Sequence, residues 1–290
     1  MATVLVIGAA GKTGRAVTAA LTSRGVDVRA AVRSAPRAET AYAVGARSIS
    51  VVDLESGAGL DEAVTGVDAV YHLAPNVHPD EVGMADRVAR AAARAGLSRF
   101  VFHSVLHPND ASMPHHVRKA EAEKVVRAHL PGATVLRPAA YHQNLVGAAL
   151  AGRLEVPYSL DSPFTNVDLA DVAEVAAKVL TRHGHEGVTY DLAGPEVLSV
   201  RDQAAVAADV LGHHVEPVRV QLSGWVAGPG ASLTPQARDD LLAMFASYDR
   251  GGLVGDASTL RRLLGRDPRS WAETLRLESD SIKQSSNTVL

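Results

Sequence analysis

Three glycines at three-residue spacing, Gly8, Gly11 and Gly14, follow directly on the apolar run Thr3–Ile7 and open a stretch of helical period that reaches Arg24. A strand that passes through such a loop into a helix begins a β-α-β unit, and this constrains the chain to an α/β fold. The first glycine permits the tight turn, the second lets backbone approach a pyrophosphate, and the third lets helix and strand pack closely. The helix start adds unpaired N–H groups and the positive end of its dipole. Gly8, Gly11, Lys12, Thr13 and Gly14 are therefore candidates to hold a dinucleotide, with a purely structural turn as the alternative.

The rhythm continues through the first 140 residues. Short β-branched runs suggest strands at 3–7, 26–32, 47–51, 69–73, 99–104 and 134–137, and alanine-rich stretches suggest helices at 12–24, 36–44, 60–65, 80–95 and 114–129. Right-handed crossovers place these helices on both faces of a parallel sheet, giving a doubly wound Rossmann fold. Beyond residue 140 the pattern loosens: helices are expected at 168–180 and 199–211, and strands at 188–192 and 215–220. The expected organisation is a dinucleotide-binding domain at 1–140, a smaller mixed substrate subdomain at 141–280 interleaved with it, and a polar, flexible tail at 281–290. Between Trp225 and Asp256, glycines and prolines flank a helix at 235–248 carrying Leu241, Leu242, Met244 and Phe245. That segment suits a lid over an apolar ligand, or an ordinary helix packed on the core.

Composition narrows the classes. A chain of 290 residues with 47% hydrophobic content can bury a core without staples, and aromatics at 4% favour helices on a sheet over an aromatic-lined barrel. The absence of cysteine removes disulfides, thiolate metal sites and cysteine nucleophiles, and suggests the cytoplasm. A net charge of −3 argues against a nucleic-acid partner. No signal sequence or membrane span is expected, and twelve histidines show no metal-ligand spacing. Monomer and homodimer are both left open.

The strand ends carry further ligand chemistry. After the second strand stand Arg33, Ser34 and Arg37, where an NAD site would place an acidic residue against the ribose 2′-hydroxyl. A guanidinium suits a 2′-phosphate, so NADP(H) is favoured over NAD(H). Asp53 and Leu54 follow the third strand, where a carboxylate and an apolar side chain suit an adenine. Leu73, Ala74 and Pro75 follow the fourth, where small residues let the cofactor pass.

The segments VLVIGAAGKTGRAV, FVFHSV, HHVRKAEAEKVV, TVLRPAAYHQNL, VDLADVAEVAAKVL and YDLAGPEVLSV resemble the NmrA-like branch of the atypical short-chain dehydrogenases/reductases over most of the chain. The resemblance implies a Rossmann fold with a nicotinamide cofactor. In short-chain reductases a Tyr four residues before a Lys protonates the substrate oxygen, the Lys holds the nicotinamide ribose, and a Ser polarises the substrate. Lys119 matches the lysine and Ser104 lies near the serine, while His115 stands where the tyrosine would be. The chain near Pro138 and Tyr141 would pass beside the nicotinamide.

His115 and Lys119, one turn apart, could face one cleft, with His115 as a general acid or merely as a helix-start residue. Tyr141 could instead hydrogen-bond a substrate oxygen. A quinone, or a ketone with an internal hydrogen bond, would need no protein acid at all. The expected function is an NADPH-dependent reductase of an apolar, aromatic ketone or quinone held by Tyr141, His115 and the 225–256 segment. The alternatives are a non-catalytic NADP(H) sensor and an isomerase or dehydratase that retains its cofactor.

Overall fold

A computed structural model describes residues 2–287. In chain order its elements are β1 (Thr3–Ile7), α1 (Lys12–Thr22), β2 (Asp27–Val32), α2 (Ala38–Tyr42), β3 (Ser48–Val51), α3 (Leu60–Val64), β4 (Ala69–His72), α4 (Glu81–Arg94), β5 (Arg99–His103), α5 (Pro114–His129) and β6 (Thr134–Pro138). There follow α6 (Val146–Leu150), β7 (Arg153–Val156), α7 (Leu169–Thr181), β8 (Thr189–Leu192), α8 (Val200–Leu211), β9 (Glu216–Arg219), α9 (Leu222–Ala227), α10 (Pro235–Gly251), α11 (Ser258–Leu264) and α12 (Trp271–Asn287). Through β6, every expected element is present within two residues of its expected bounds.

Seven strands form one sheet in the order β3-β2-β1-β4-β5-β6-β8, with strands β1 to β6 paired in parallel. The order reverses between β1 and β4, which creates the switch point where ligands of open α/β sheets bind. The chain divides into two compact units. One takes the chain as far as Arg137 together with Val172–Tyr190; the other takes Pro138–Asp171 and the chain from Asp191 onward.

In the first unit the inner strands β1, β4, β5 and β6 are largely buried on both faces, which is why their sequences are nearly continuous in apolar residues, whereas edge strand β3 is partly exposed. Alternate residues Leu5, Ile7, Ala31, Val70, Phe100, Phe102 and Val135 build one core with Leu60, Ala63 and Val64 of α3. Ala85, Val88, Ala89 and Ala92 of α4, and Ala122 and Val126 of α5, close over the same face. Alanine on these helices lets them approach the sheet and each other closely.

The second unit packs Val146, Leu154, Val156, Ala204, Ala207 and Val215 around Trp271 and Leu275 of α12. Strands β7 and β9 pair in parallel as a separate two-stranded sheet. Helix α8 starts at a capping box: Ser199 Oγ accepts from the Asp202 N–H at 3.1 Å, and Asp202 accepts from the Ser199 N–H at 2.9 Å. The same device, Ser270 with Glu273, precedes α12. Asp171, fully buried, accepts from Arg266 at 2.8 Å and from Arg269 at 2.7 Å, fixing the turn that leads into α12.

Two features differ from expectation. Strand β7 and helices α6, α9, α11 and α12 are additional to the expected elements, and α12 includes residues 281–287, expected to be a flexible tail. Residues 288–290 lie outside the described residues. In the 225–256 segment the Trp225 ring packs edge-on to Phe245 with centroids 4.8 Å apart, and a methyl group at Gly230 would lie 2.8 Å from that ring. Leu241, Leu242 and Met244 are only half-buried. No helix among the described residues is long and apolar enough to cross a membrane.

Trp271 is wholly buried, with its indole N–H donating to the Gln203 carbonyl at 2.9 Å. Trp271→Ala should therefore cost about 3–5 kcal/mol, read as a lowered urea midpoint. A midpoint within about 1 kcal/mol of wild type would show that α12 adds little to the second unit.

Candidate active site

The parallel register brings the carboxyl ends of the strands to one edge of the sheet. Ile7 pairs with Ala31, Val32 with Val51, Val6 with Tyr71, and His72 with Phe102. Gly8, Arg33, Asp53, Leu73 and Ser104, each close behind its strand, therefore lie along that edge, as the sequence pattern predicts.

At the glycine loop the backbone leaves no room for side chains. Gly8 has φ +76°, and a methyl group there would lie 2.8 Å from the Leu73 carbonyl oxygen. A methyl group on Gly14 would lie 2.1 Å from the Gly8 carbonyl oxygen, so α1 starts in direct contact with the end of β1. Gly11 precedes α1 in extended conformation; no side chain caps this helix, and its first turn holds no acidic residue. An uncapped, acid-free N-terminus opening on a bare loop fits a pyrophosphate. Thr13 is buried beneath the loop, while Lys12 is exposed beside it.

Beyond β2, Arg33 and Arg37 are exposed and Ser34 is half-buried; neither guanidinium bonds to another described residue. Asp53 is largely occupied with its own turn. Its carboxylate accepts from Ser56 Oγ at 2.6 Å and the Glu55 N–H at 2.9 Å, and these bonds, the Ser56 hydroxyl foremost, hold it below the usual carboxylate range. Leu54 packs partly against the core. Ala74 is buried and Pro75 exposed.

Helix α5 presents His115, Lys119 and Glu123 at four-residue intervals, one above the other. Lys119 Nζ donates to Glu81 Oε1 at 2.8 Å and to the His103 carbonyl at 3.2 Å, and lies 5.4 Å from the centre of the Phe102 ring. Glu123 accepts two bonds from Arg137, at 2.9 and 2.6 Å, and a third from Ser104 Oγ at 2.5 Å. The substrate-polarising role expected of Ser104 meets an obstacle here: its hydroxyl is buried and spends its proton on Glu123.

The surroundings of His115 also bear on the role expected of it. Its ring is largely buried and Nδ1 has no hydrogen-bond partner. Burial, then the neighbouring His116, Arg118 and Lys119, push its pKa down to about 3. At neutral pH it holds no imidazolium proton to give. His72 and His103 are likewise brought to about 3, by burial first and by Lys119 second. His103 faces the opposite side of the sheet, its ring bonded to Tyr71 Oη at 2.5 Å.

In the second unit Tyr141 is half-buried and bridges to Val167 just after Pro138 closes β6. His142 faces inward, bonded to Thr274 Oγ1 at 2.9 Å. Thr274 in turn donates to Asp168 at 2.8 Å. Burial works to raise the Asp168 pKa, but hydrogen bonds from Gln143 and Thr274 and the charge of Arg269 hold it below the usual range. Sequence reading missed Glu81 and Glu123 as partners of the site. Glu81 reads as an ordinary helix-start acid, and only the fold brings it to Lys119.

The NmrA-like family matches this chain over residues 1–259. The (4-alkanoyl-5-oxo-2,5-dihydrofuran-3-yl)methyl phosphate reductase of Streptomyces griseus is 32% identical over 282 residues, covering 93% of this chain and 95% of the relative. An NAD(P)H azoreductase from Xenophilus azovorans is 29% identical over 277 residues, with 93% and 96% covered. The crystal structure of an NADPH-dependent quinone oxidoreductase from Escherichia coli, complexed with NADPH, shares the fold with a TM-score of 0.80. It is 25% identical and covers 94% of this chain and 98% of that one.

The buried histidines give an acid signature. His72, His103 and His115 stay neutral in the folded chain to about pH 3, whereas the unfolded chain protonates each near 6.5. Between these values the unfolded state binds more protons, so stability falls as pH falls, by up to about 1.4 kcal/mol per pH unit for each ring. The urea midpoint should be lower at about pH 5 than at about pH 7.5, and His72→Phe should flatten the difference. A dependence that His72→Phe leaves unchanged would contradict the buried, neutral assignment.

Proposed function

We propose that this chain, which belongs to the NmrA-like family, is an NAD(P)H-dependent oxidoreductase that prefers NADPH and reduces a quinone or a similarly conjugated acceptor. The observation that carries the reading is the glycine loop. Its three glycines, Gly8 against Leu73 and Gly11 and Gly14 against the Gly8 carbonyl, open an uncapped helix and have the form of a pyrophosphate cradle. Reductases among the relatives, at 32% and 29% identity, favour turnover over the sensor alternative.

Gly8, Gly11, Thr13 and Gly14 would hold the pyrophosphate through backbone and hydroxyl groups. Arg33, with Ser34 and Arg37, would take the 2′-phosphate; the unpaired guanidinium and the lack of an acidic residue at that strand end support this. Asp53 and Leu54 would border the adenine, and Leu73, Ala74, Pro75 and Pro138 the path of the dinucleotide. Lys119 would hold the nicotinamide ribose with the one N–H that Glu81 and His103 leave over.

A bound reduced nicotinamide supplies hydride, two electrons with one proton. What the chain's own residues do near it argues for the acceptor class. The Ser104 hydroxyl donates its hydrogen bond to Glu123, His115 is neutral, and Lys119 is matched by Glu81. An isolated ketone would leave an alkoxide with no acid to quench it. A quinone that accepts hydride becomes a delocalised hydroquinone anion and can take its second proton from water, so the reaction balances without a protein acid. Tyr141 stands as the remaining residue proposed to bond a substrate oxygen.

Fluorescence titration with NADPH and NADH, followed by addition of quinones and aromatic ketones, tests the reading. NADPH should bind more tightly, and quinones should oxidise it faster than ketones do. Arg33→Ala should weaken NADPH about 10- to 100-fold and NADH by less than about threefold. Equal losses for both would remove Arg33 from the 2′-phosphate, and tight binding without oxidation of any acceptor would return the sensor alternative.

A further inference from the structure

Lys119 and Glu81 form an ion pair that is almost closed to solvent, their side chains 11% and 4% exposed. Such a pair is a poor device for stability. Removing both charges from water costs several kcal/mol, and apolar residues of similar size often serve the fold as well or better. The pair therefore calls for another reason, and the surrounding groups supply it.

An ammonium has three N–H bonds. Glu81 takes one, the His103 carbonyl takes another, and among the described residues the third has no acceptor. The Phe102 ring supports the same ammonium from one side. Glu81 is itself held in place. It is the first residue of α4, where the helix dipole favours a carboxylate. The first turn of α4 is anchored through Arg87, which donates to the Leu54 carbonyl at 2.7 Å and binds the Asp80 carboxylate. The end of β3 is thereby tied to the start of α4, and Glu81 to the lysine on α5.

We propose that Glu81 is a positioning residue: it holds the Lys119 ammonium in place inside the protein and aims its third N–H at the ribose of the nicotinamide. The inference rests on the cofactor reading above and adds to it the residue on which Lys119 depends. The other titratable groups whose fields reach Lys119 are His72 on β4, His103 on β5 and His115 on α5. Arg118 is its chain neighbour, and Glu123, one turn on, is matched by Arg137. Glu81 is thus the anion that directly compensates the ammonium.

The test is NADPH affinity, read by fluorescence without turnover, for wild type, Glu81→Gln, Glu81→Asp, Lys119→Met and the double variant Lys119→Met/Glu81→Gln. Glu81→Gln should bind about 5- to 20-fold more weakly, because the ammonium loses the carboxylate that orients it. Glu81→Asp, which keeps the carboxylate, should restore most of the affinity. In the Lys119→Met background the Glu81→Gln change should alter affinity by less than about twofold. Equal losses from Glu81→Gln in both backgrounds, or no rescue by Glu81→Asp, would overturn the inference while leaving the cofactor reading intact. Should Glu81→Gln not fold, as thermal melting would show, Lys119→Met against the double variant decides: equal affinities support the inference and a weaker double variant overturns it. Failure of wild type to bind NADPH would overturn the cofactor reading, and this inference with it.

Discussion

The contact between Gly14 and the Gly8 carbonyl sets the geometry of the site. With a methyl group only 2.1 Å from that oxygen, no residue but glycine lets α1 begin so close to the end of β1. The same approach leaves the helix N-terminus bare at the end of the sheet where the strand order reverses between β1 and β4. The position of the proposed pyrophosphate cradle is therefore a consequence of backbone packing. The strand-end residues of β2, β3 and β4 reach the same edge because parallel register leaves them no other place to be.

Helix α5 depends on a second set of constraints, electrostatic rather than steric. Its stripe of His115, Lys119 and Glu123 crosses from a neutral ring to a paired ammonium to a carboxylate bound by Arg137 and Ser104. Each polar group is either discharged by burial or matched by a partner, as interior positions require. Of the side chains that sequence reading offers for the chemistry, Ser104 is bonded to Glu123 and His115 is a neutral ring with no bond at Nδ1. This arrangement supports the proposed preference for acceptors that form stabilised anions.

The first six strands and their helices were legible because each carries a strong local signal: β-branched runs buried on both faces, alanine-rich helical periods, and glycine where a turn or close approach demands it. The second unit was less legible. Strand β7 is four residues long, with only Leu154 and Val156 marking its inner face. Helix α12 is largely polar along its length and owes its place to Trp271 and Leu275, although the Ser270–Glu273 capping box was there to be read. Phe245 and Trp225, read as parts of a lid, meet each other edge to face.

By itself the sequence determined the α/β class, the carboxyl-end edge of the sheet, and the glycine and arginine residues that stand behind its strands. These follow from local pattern, since strand period, loop spacing and helix starts are properties of adjacent residues. Tertiary structure alone decided what each polar side chain is free to do. What the Ser104 hydroxyl donates to, whether His115 carries a charge and whether Lys119 has a spare N–H depend on Glu123, on burial and on Glu81. Glu123 lies 19 residues from Ser104 and Glu81 lies 38 from Lys119. Hydrogen bonds and desolvation act through space, so no spacing along the chain could have announced them.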